Sequence, residues 1–251
     1  MTIGHEAIGS GAHKVITLHG WFGDHTTFHP LRGALSLDEF TYAAVAYRGY
    51  GLSRQIKGRY TMPEIAGDVL ELADKLGWSQ FSLVGHSMGG MAVQRILADA
   101  PGRVRKIVAI TPVPASGVPF DPDGWKLFEG AAASLDNRRG IIDFTTGSRL
   151  SKTWIDGMAR YSDETASRDA FAAYLLAWAK TDFHAEIKGN PVPIKVIAGA
   201  NDPALGAEVM KATYLAWYPN AELEVMANAG HYPMNETPVA LATSIESFLR
   251  K

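Results

Sequence analysis

One pentapeptide constrains this chain more than any other feature: Gly85-His86-Ser87-Met88-Gly89, which stands between a predicted strand and a predicted helix. A serine at such a junction occupies a tight, strained turn that lifts its hydroxyl clear of the backbone. The flanking glycines leave room for the reversal, and Gly90 lets the helix approach the sheet. The context therefore predicts Ser87 as a nucleophile. The alternative is a helix-capping serine in an ordinary strand–helix loop.

The rest of the first half supports a layered α/β architecture. Short apolar runs alternate with patterns of helical period, which favours a mostly parallel sheet with helices on both faces. The predicted strands are 15–18, 41–47, 81–84, 106–110, 194–198 and 223–226. The predicted helices are 62–76, 88–98, 205–217 and a last one from about 238.

The segment 114–186 breaks this alternation, because it contains aromatic-rich helical patterns and no convincing strand. Long insertions between regular elements are often functional lids. We therefore predict a core formed by residues 1–113 and 187–251, with a helical cap at 114–186.

Composition excludes several kinds of partner. The 251 residues carry 24 basic and 26 acidic side chains, a net charge of −2, so no electrostatic footprint for nucleic acid or an anionic membrane is expected. With 47% hydrophobic and 20% charged residues, a large core can be buried. The absence of cysteine excludes disulfides and thiolate chemistry. With no leader-like or membrane-spanning apolar run, we expect a cytoplasmic protein, monomeric or homodimeric, acting on a small molecule.

A serine nucleophile needs a base, and that base needs an orienting acid. Asp202 is the acid in the loop after strand 194–198, and His231 lies in the loop after strand 223–226. The carboxyl ends of parallel strands meet at one edge of a sheet, so these loops are expected to lie near Ser87. The alternatives are that Asp202 only caps the next helix and that His231 is a surface histidine.

The order Ser87, Asp202, His231 resembles that of the α/β-hydrolase superfamily. The resemblance extends over essentially the whole chain and includes three further segments: His19-Gly20-Trp21-Phe22-Gly23-Asp24, Arg48-Gly49-Tyr50-Gly51-Leu52-Ser53 and Gly85 to Gly90. It implies an α/β-hydrolase fold with a capped active site. The chain departs from many relatives at Ala46, where they carry an acid. That departure leaves the triad chemistry intact and weakens only a close subfamily assignment.

The same resemblance implies an oxyanion hole. Acyl transfer needs two preorganised donors for the developing negative charge. One is expected to be the backbone N–H of Met88 and the other that of Trp21, with Phe22 as the alternative. The alternative for Trp21 is that its indole ring packs in the core. Both roles can hold, because the oxyanion hole uses only the backbone amide of Trp21.

The implied reaction is hydrolysis of a small to medium, largely apolar carboxylic ester, lactone or thioester. Six residues are predicted to line the substrate pocket: Phe22, Val113, Trp125, Phe144, Trp154 and Trp178. For most aromatic residues of the cap, packing onto the core is the alternative. Two other functions are open: carbon–carbon bond hydrolysis or a synthase-like reaction with the same triad, and a small-molecule receptor that retains it. Haloalkane dehalogenases and epoxide hydrolases are disfavoured, because those relatives carry an aspartate where this chain has Ser87.

No cofactor is expected. The chain has neither a Walker-type sequence nor a G-x-G-x-x-G opening a helix after a strand. His25 and His29 have the spacing of a metal pair, but without the glutamate of zinc peptidases a polar helix start is favoured. Asp182 and His184 are interpreted as polar residues at the cap boundary, with a place in the site as the alternative. Arg138-Arg139 comes nearest to a phosphate or coenzyme A site, and a solvated helix face explains it equally well.

Overall fold

Seven strands form one twisted sheet in the computed structural model, which describes residues 2–251. Met1, the first residue of the predicted core, lies outside that range. The strands are β1 (His5–Ile8), β2 (His13–Leu18), β3 (Phe40–Val45), β4 (Phe81–His86), β5 (Val104–Ile110), β6 (Ile194–Gly199) and β7 (Ala221–Met226). Their order is β1-β3-β2-β4-β5-β6-β7, and only β1 runs antiparallel to its neighbour. The predicted fold class is confirmed.

Eleven α-helices accompany the sheet over the described residues: α1 (Met62–Lys75), α2 (Met88–Asp99), α3 (Pro122–Gly130), α4 (Leu135–Thr145), α5 (Lys152–Thr165), α6 (Arg168–Lys180), α7 (His184–Ile187), α8 (Ala207–Ala212), α9 (Tyr214–Trp217), α10 (Pro233–Glu236) and α11 (Pro238–Arg250). Three 3₁₀ helices span His25–Ala34, Gly51–Ser53 and Pro101–Arg103. None of the helices in residues 2–251 combines the length and apolarity needed to cross a membrane.

Local sequence explains the regular elements well. Every residue of β4 is buried, as expected for a central parallel strand covered on both faces. At the start of α1 the Thr61 hydroxyl accepts a hydrogen bond from the Glu64 N–H, and Pro63 occupies the first turn. Gly77 follows Leu76, the C-cap of the helix, with φ +70°, the left-handed conformation in which a glycine commonly ends a helix.

Two elements differ from the prediction. The edge strand β1 was not predicted, because its four residues, His-Glu-Ala-Ile, lack a clear apolar alternation. The helix predicted over 205–217 is two short helices that meet at Thr213. The Thr213 hydroxyl donates to the Val209 carbonyl at 2.6 Å, and its backbone leaves the helical region at ψ −86°.

The chain between β5 and β6 holds α3 to α7 and contributes no strand to the sheet in the described structure. Its one isolated bridge joins Ala166 to Tyr50. The division into core and cap stays a prediction, since α7 crosses the boundary placed at residue 186. The loops after β2, β4, β6 and β7 all leave the same edge of the sheet, because these strands are parallel.

Candidate active site

The turn after β4 holds Ser87 in a backbone conformation that L-residues rarely adopt, with φ +53° and ψ −116°. Its N–H donates to the Ile110 carbonyl at 3.0 Å, and its own carbonyl accepts from Gly90 at 2.8 Å and from Val113 at 3.0 Å. These bonds tie the turn to the end of β5 and hold the strain in place.

Three glycines make this turn possible. A Cβ on Gly85 would overlap the carbonyl oxygen of Gly89, and a Cβ on Gly89 would overlap that of Leu18. A Cβ on Gly90 would strike Pro112, in the loop after β5. At Gly90, helix α2 therefore approaches the loop after β5 closely.

Ser87, His231 and Asp202 form one hydrogen-bonded chain. The Ser87 Oγ lies 3.0 Å from His231 Nε2, and His231 Nδ1 lies 2.7 Å from Asp202 Oδ2. The Asp202 side chain is fully buried, so its charge needs partners. Its second oxygen, Oδ1, accepts from the N–H groups of Ala204 at 2.9 Å and Leu205 at 3.1 Å. Asp202 does not cap α8, whose N-cap is Gly206.

The loop that carries His231 is held on several sides. The His231 N–H donates to the Thr145 carbonyl, at the end of α4, at 3.1 Å. Its carbonyl accepts from His86 Nε2 at 2.8 Å and from the Thr111 hydroxyl at 3.0 Å. His86 is therefore a supporting residue that the sequence analysis left without a role, although it stands within the Gly85–Gly89 motif.

Burial keeps His86 and His19 neutral. For His86, burial and the neighbouring His231 hold the pKa well below its usual value, and for His19 burial lowers the pKa to about 4. His19 Nδ1 lies 2.8 Å from the Gly20 carbonyl and Nε2 lies 3.3 Å from the Tyr47 nitrogen. A neutral ring with its proton on Nδ1 satisfies both contacts and fixes the start of the loop after β2.

That loop presents free amides beside the serine. The N–H groups of Trp21, Phe22 and Met88 donate to no other group within residues 2–251. The Trp21 carbonyl accepts from Tyr50 Oη at 3.0 Å, and its indole donates to the Phe171 carbonyl of α6 at 2.7 Å. The loop is thus fixed from both the core and α6. Since the Trp21 and Phe22 amides are both free, the choice between them stays open.

An apolar cavity of about 70 Å³ opens onto Ser87 and His231. Three of the six predicted pocket residues line it, Phe22, Val113 and Trp178, together with Trp21, which was predicted for the oxyanion hole. The remaining lining is His86, Val118, Phe120, Phe128, Ile141, Thr145, Ala204, Leu205 and Tyr232. The sequence analysis predicted none of these nine, because the direction of each side chain depends on packing between distant segments.

Three predicted pocket residues lie elsewhere, which corrects that part of the prediction. Phe144 is 50% exposed on α4. Trp125, on α3, is half-buried against Phe120 with the Lys180 ammonium over its ring, and it does not line the cavity. Trp154 packs edge-on against Tyr232 at 5.6 Å and does not reach the cavity. Aromatic content does not indicate the helix face on which each ring lies.

The other polar candidates have structural partners. No group of three metal-binding side chains occurs among the described residues, and His29 contacts Glu6 at 2.8 Å. Asp182 and His184 pair with each other at the surface, 2.6 Å apart. Arg138 is not on a solvated face: it is 2% exposed, and its guanidinium lies 3.8 Å from the centre of the Phe171 ring.

Comparison with known proteins agrees with the fold. A family model described as alpha/beta hydrolase fold matches residues 14–238. The chain is 28% identical to the esterase YbfF of Escherichia coli, over 94% of this chain and 92% of that protein. It is 29% identical to a 2-hydroxymuconate semialdehyde hydrolase of Pseudomonas putida, over 80% and 74%. A hydrolase structure from Oleispira antarctica superimposes with a TM-score of 0.87 at 20% identity, over 99% and 95% of the two chains.

Proposed function

Because the chain belongs to the alpha/beta hydrolase family, we propose that it hydrolyses carboxylic esters with a short apolar acyl group through an acyl-enzyme on Ser87. The observation that carries this proposal is the Ser87–His231–Asp202 chain opening onto a small apolar cavity. Similarity to the esterase YbfF supports the same reaction class.

In the proposed mechanism, Ser87 Oγ attacks the ester carbonyl while His231 Nε2 takes its proton. Asp202 holds the proton on Nδ1 and stabilises the imidazolium. The oxyanion accepts hydrogen bonds from the amide of Met88 and from that of Trp21 or Phe22. His231 then returns its proton to the departing alkoxide. Water, deprotonated by the same nitrogen, cleaves the acyl-enzyme and releases the acid.

The size of the cavity limits the acyl group. At about 70 Å³ the cavity is several times larger than the space that one water molecule needs, so it has room for only a small group. An acyl chain of about four carbons fits this space, whereas an octanoyl chain exceeds it. The lining contains no lysine or arginine within the described residues. A carboxylated carbon–carbon hydrolase substrate therefore finds no countercharge there.

We expect kcat/KM to be highest for p-nitrophenyl butyrate and at least about tenfold lower for the octanoate, because the longer chain overfills the cavity. Steady-state hydrolysis of the acetate, butyrate and octanoate measures this. Ile141→Ala, which enlarges the cavity, is expected to shift the preference toward octanoate. Trp125→Ala, outside the cavity, serves as the control with the wild-type profile.

Two outcomes contradict the proposal. A wild-type optimum at octanoate would remove the size argument. Absence of multiple turnover on any of the three esters would favour the carbon–carbon hydrolase or the receptor.

A further inference from the structure

A second and larger cavity, of about 270 Å³, adjoins the catalytic one. The two share Phe22, His86 and Tyr232 as a common wall. The remaining wall comes from the 3₁₀ helix His25–Ala34, from α5 and from α10. Its volume is about four times that of the catalytic cavity, so it accommodates a group larger than the acyl chain.

Both apolar and polar side chains line the larger cavity: Phe22, Pro30 and Met158 are apolar, and Thr26, Thr27, His29, Tyr161 and Asn235 are polar. Thr26 and Tyr161 line it, and their hydroxyls both lie 2.6 Å from Asp24 Oδ1. Asn235 lines it from α10, with an exposed amide that bonds to no other group in the described chain. No lysine or arginine is among its lining residues, and the buried Asp24 carboxylate behind the hydroxyls disfavours an anion. The wall suits a neutral group with several hydroxyls.

The cavity adjoins the loop that carries His231. Tyr232 directly follows His231, the residue that protonates the departing alkoxide in the proposed mechanism, and Asn235 lies four residues after it. The Tyr232 ring lies edge-on to the His231 ring at 5.2 Å. The proposed function assigns the acyl chain to the apolar cavity, which leaves the adjoining cavity for an alcohol held at His231 Nε2.

We propose that the enzyme prefers esters of neutral, polyhydroxylated alcohols, such as glycerol, with short apolar acids. This inference rests on the proposed ester hydrolysis. The 270 Å³ cavity is the alcohol subsite, and Asn235 is a hydrogen-bonding residue at its edge. Met158, on α5, supplies part of its apolar floor.

The test compares glycerol monobutyrate with propyl butyrate, which differ only by two hydroxyls. The wild type is expected to favour glycerol monobutyrate about tenfold in kcat/KM, the effect of one or two added hydrogen bonds. Asn235→Leu is expected to narrow that ratio. Met158→Trp fills the cavity and is expected to lower kcat/KM for glycerol monobutyrate more than for methyl butyrate. Leu176→Trp, on the exposed face of α6, is the control.

Equal or reversed preference in the wild type overturns the alcohol subsite. So does a preference for propyl 3,4-dihydroxybutanoate over glycerol monobutyrate, which would place the polar half on the acyl side. Failure to hydrolyse even methyl butyrate would instead contradict the proposed function itself.

A separate observation concerns the peptide groups around His231. The Gly230 N–H lies 2.9 Å from both carboxylate oxygens of Glu236, and the Tyr232 N–H donates to Glu236 Oε1 at 3.1 Å. The Glu236 side chain is 3% exposed and pairs with Arg149, which lies in the loop between α4 and α5. One buried carboxylate thus holds both residues that flank the catalytic histidine, and the segment between β5 and β6 supplies its countercharge.

We infer that Glu236 is a positioning residue for His231 and that Arg149 couples it to the cap. Removing the charge of Glu236 leaves Arg149 without its partner and loosens the loop that carries His231. Even a small displacement of the general base from its working geometry lowers the rate. The walls that bind the substrate stay in place, so we expect kcat to fall while KM changes little.

The chain offers a matched control in Glu246, on α11. It is also 3% exposed, accepts from the Ser36 N–H at 2.8 Å, and pairs with Arg250 at 2.9 Å, far from the catalytic edge. Glu236→Gln is expected to lower kcat on p-nitrophenyl butyrate at least about tenfold with little change in KM, whereas Glu246→Gln keeps the wild-type kcat. Both are assayed well below their own Tm.

Arg149→Ala is expected to lower kcat in the same direction, and Arg149→Lys to recover most of it. Equal kcat for Glu236→Gln and Glu246→Gln would overturn the inference. A change confined to KM would overturn it as well, because it would place Glu236 in substrate binding.

Discussion

Replacing Ser87 with alanine is expected to lower kcat for p-nitrophenyl butyrate by about 10⁴-fold or more, since removal of a triad nucleophile in other serine hydrolases leaves only oxyanion and binding contributions. The alanine variant keeps the backbone contacts to Ile110, Gly90 and Val113, so its Tm is expected to stay close to that of the wild type. Parallel steady-state kinetics and thermal unfolding measure the two effects.

Ser82→Ala is the matched control for this prediction. Ser82 is a buried serine on the same strand, β4, and its hydroxyl lies 2.8 Å from His13 Nε2, away from the cavity. It is expected to keep the wild-type kcat. Activity of Ser87→Ala within about tenfold of the wild type would show that the nucleophile lies elsewhere.

Replacing Asp202 with asparagine is expected to lower kcat by about 10³- to 10⁴-fold. In the wild type, the Asp202 carboxylate accepts a hydrogen bond from the N–H of His231, with Nδ1 and Oδ2 2.7 Å apart. An asparagine amide in its place donates to Nδ1, which moves the ring proton to Nε2. In that tautomer His231 cannot accept the Ser87 proton. The amide also loses the negative charge that stabilises the imidazolium.

Asp182→Asn provides the control, because Asp182 makes an aspartate–histidine pair of similar length with His184 at the surface. It is expected to leave kcat unchanged. A loss of less than about tenfold in Asp202→Asn would mean that another acid orients the base.

The parts of the site that the sequence predicted are those set by local context. Ser87 was identified because the glycines around it permit one turn geometry, and a strand and a helix adjoin it. Asp202 and His231 were identified because the carboxyl ends of parallel strands converge. The structure brings these three side chains into hydrogen-bonding distance.

The parts that it missed depend on packing between distant segments. Phe144 and Trp178 are both aromatic residues of the cap, yet one is half exposed and the other lines the cavity. Helical period alone does not say which face of a cap helix meets the core. Glu236 had no motif, and its contacts with Gly230 and Arg149 emerge only from the fold.

Covalent labelling tests the central claim most directly. A p-nitrophenyl alkylphosphonate mimics the tetrahedral intermediate and phosphonylates an activated serine. Peptide mass spectrometry of the inactivated wild type is expected to find one adduct per chain, on Ser87, with activity lost in proportion to labelling. An adduct on another residue, or full labelling of the protein with esterase activity retained, would contradict the assignment of Ser87 as the nucleophile.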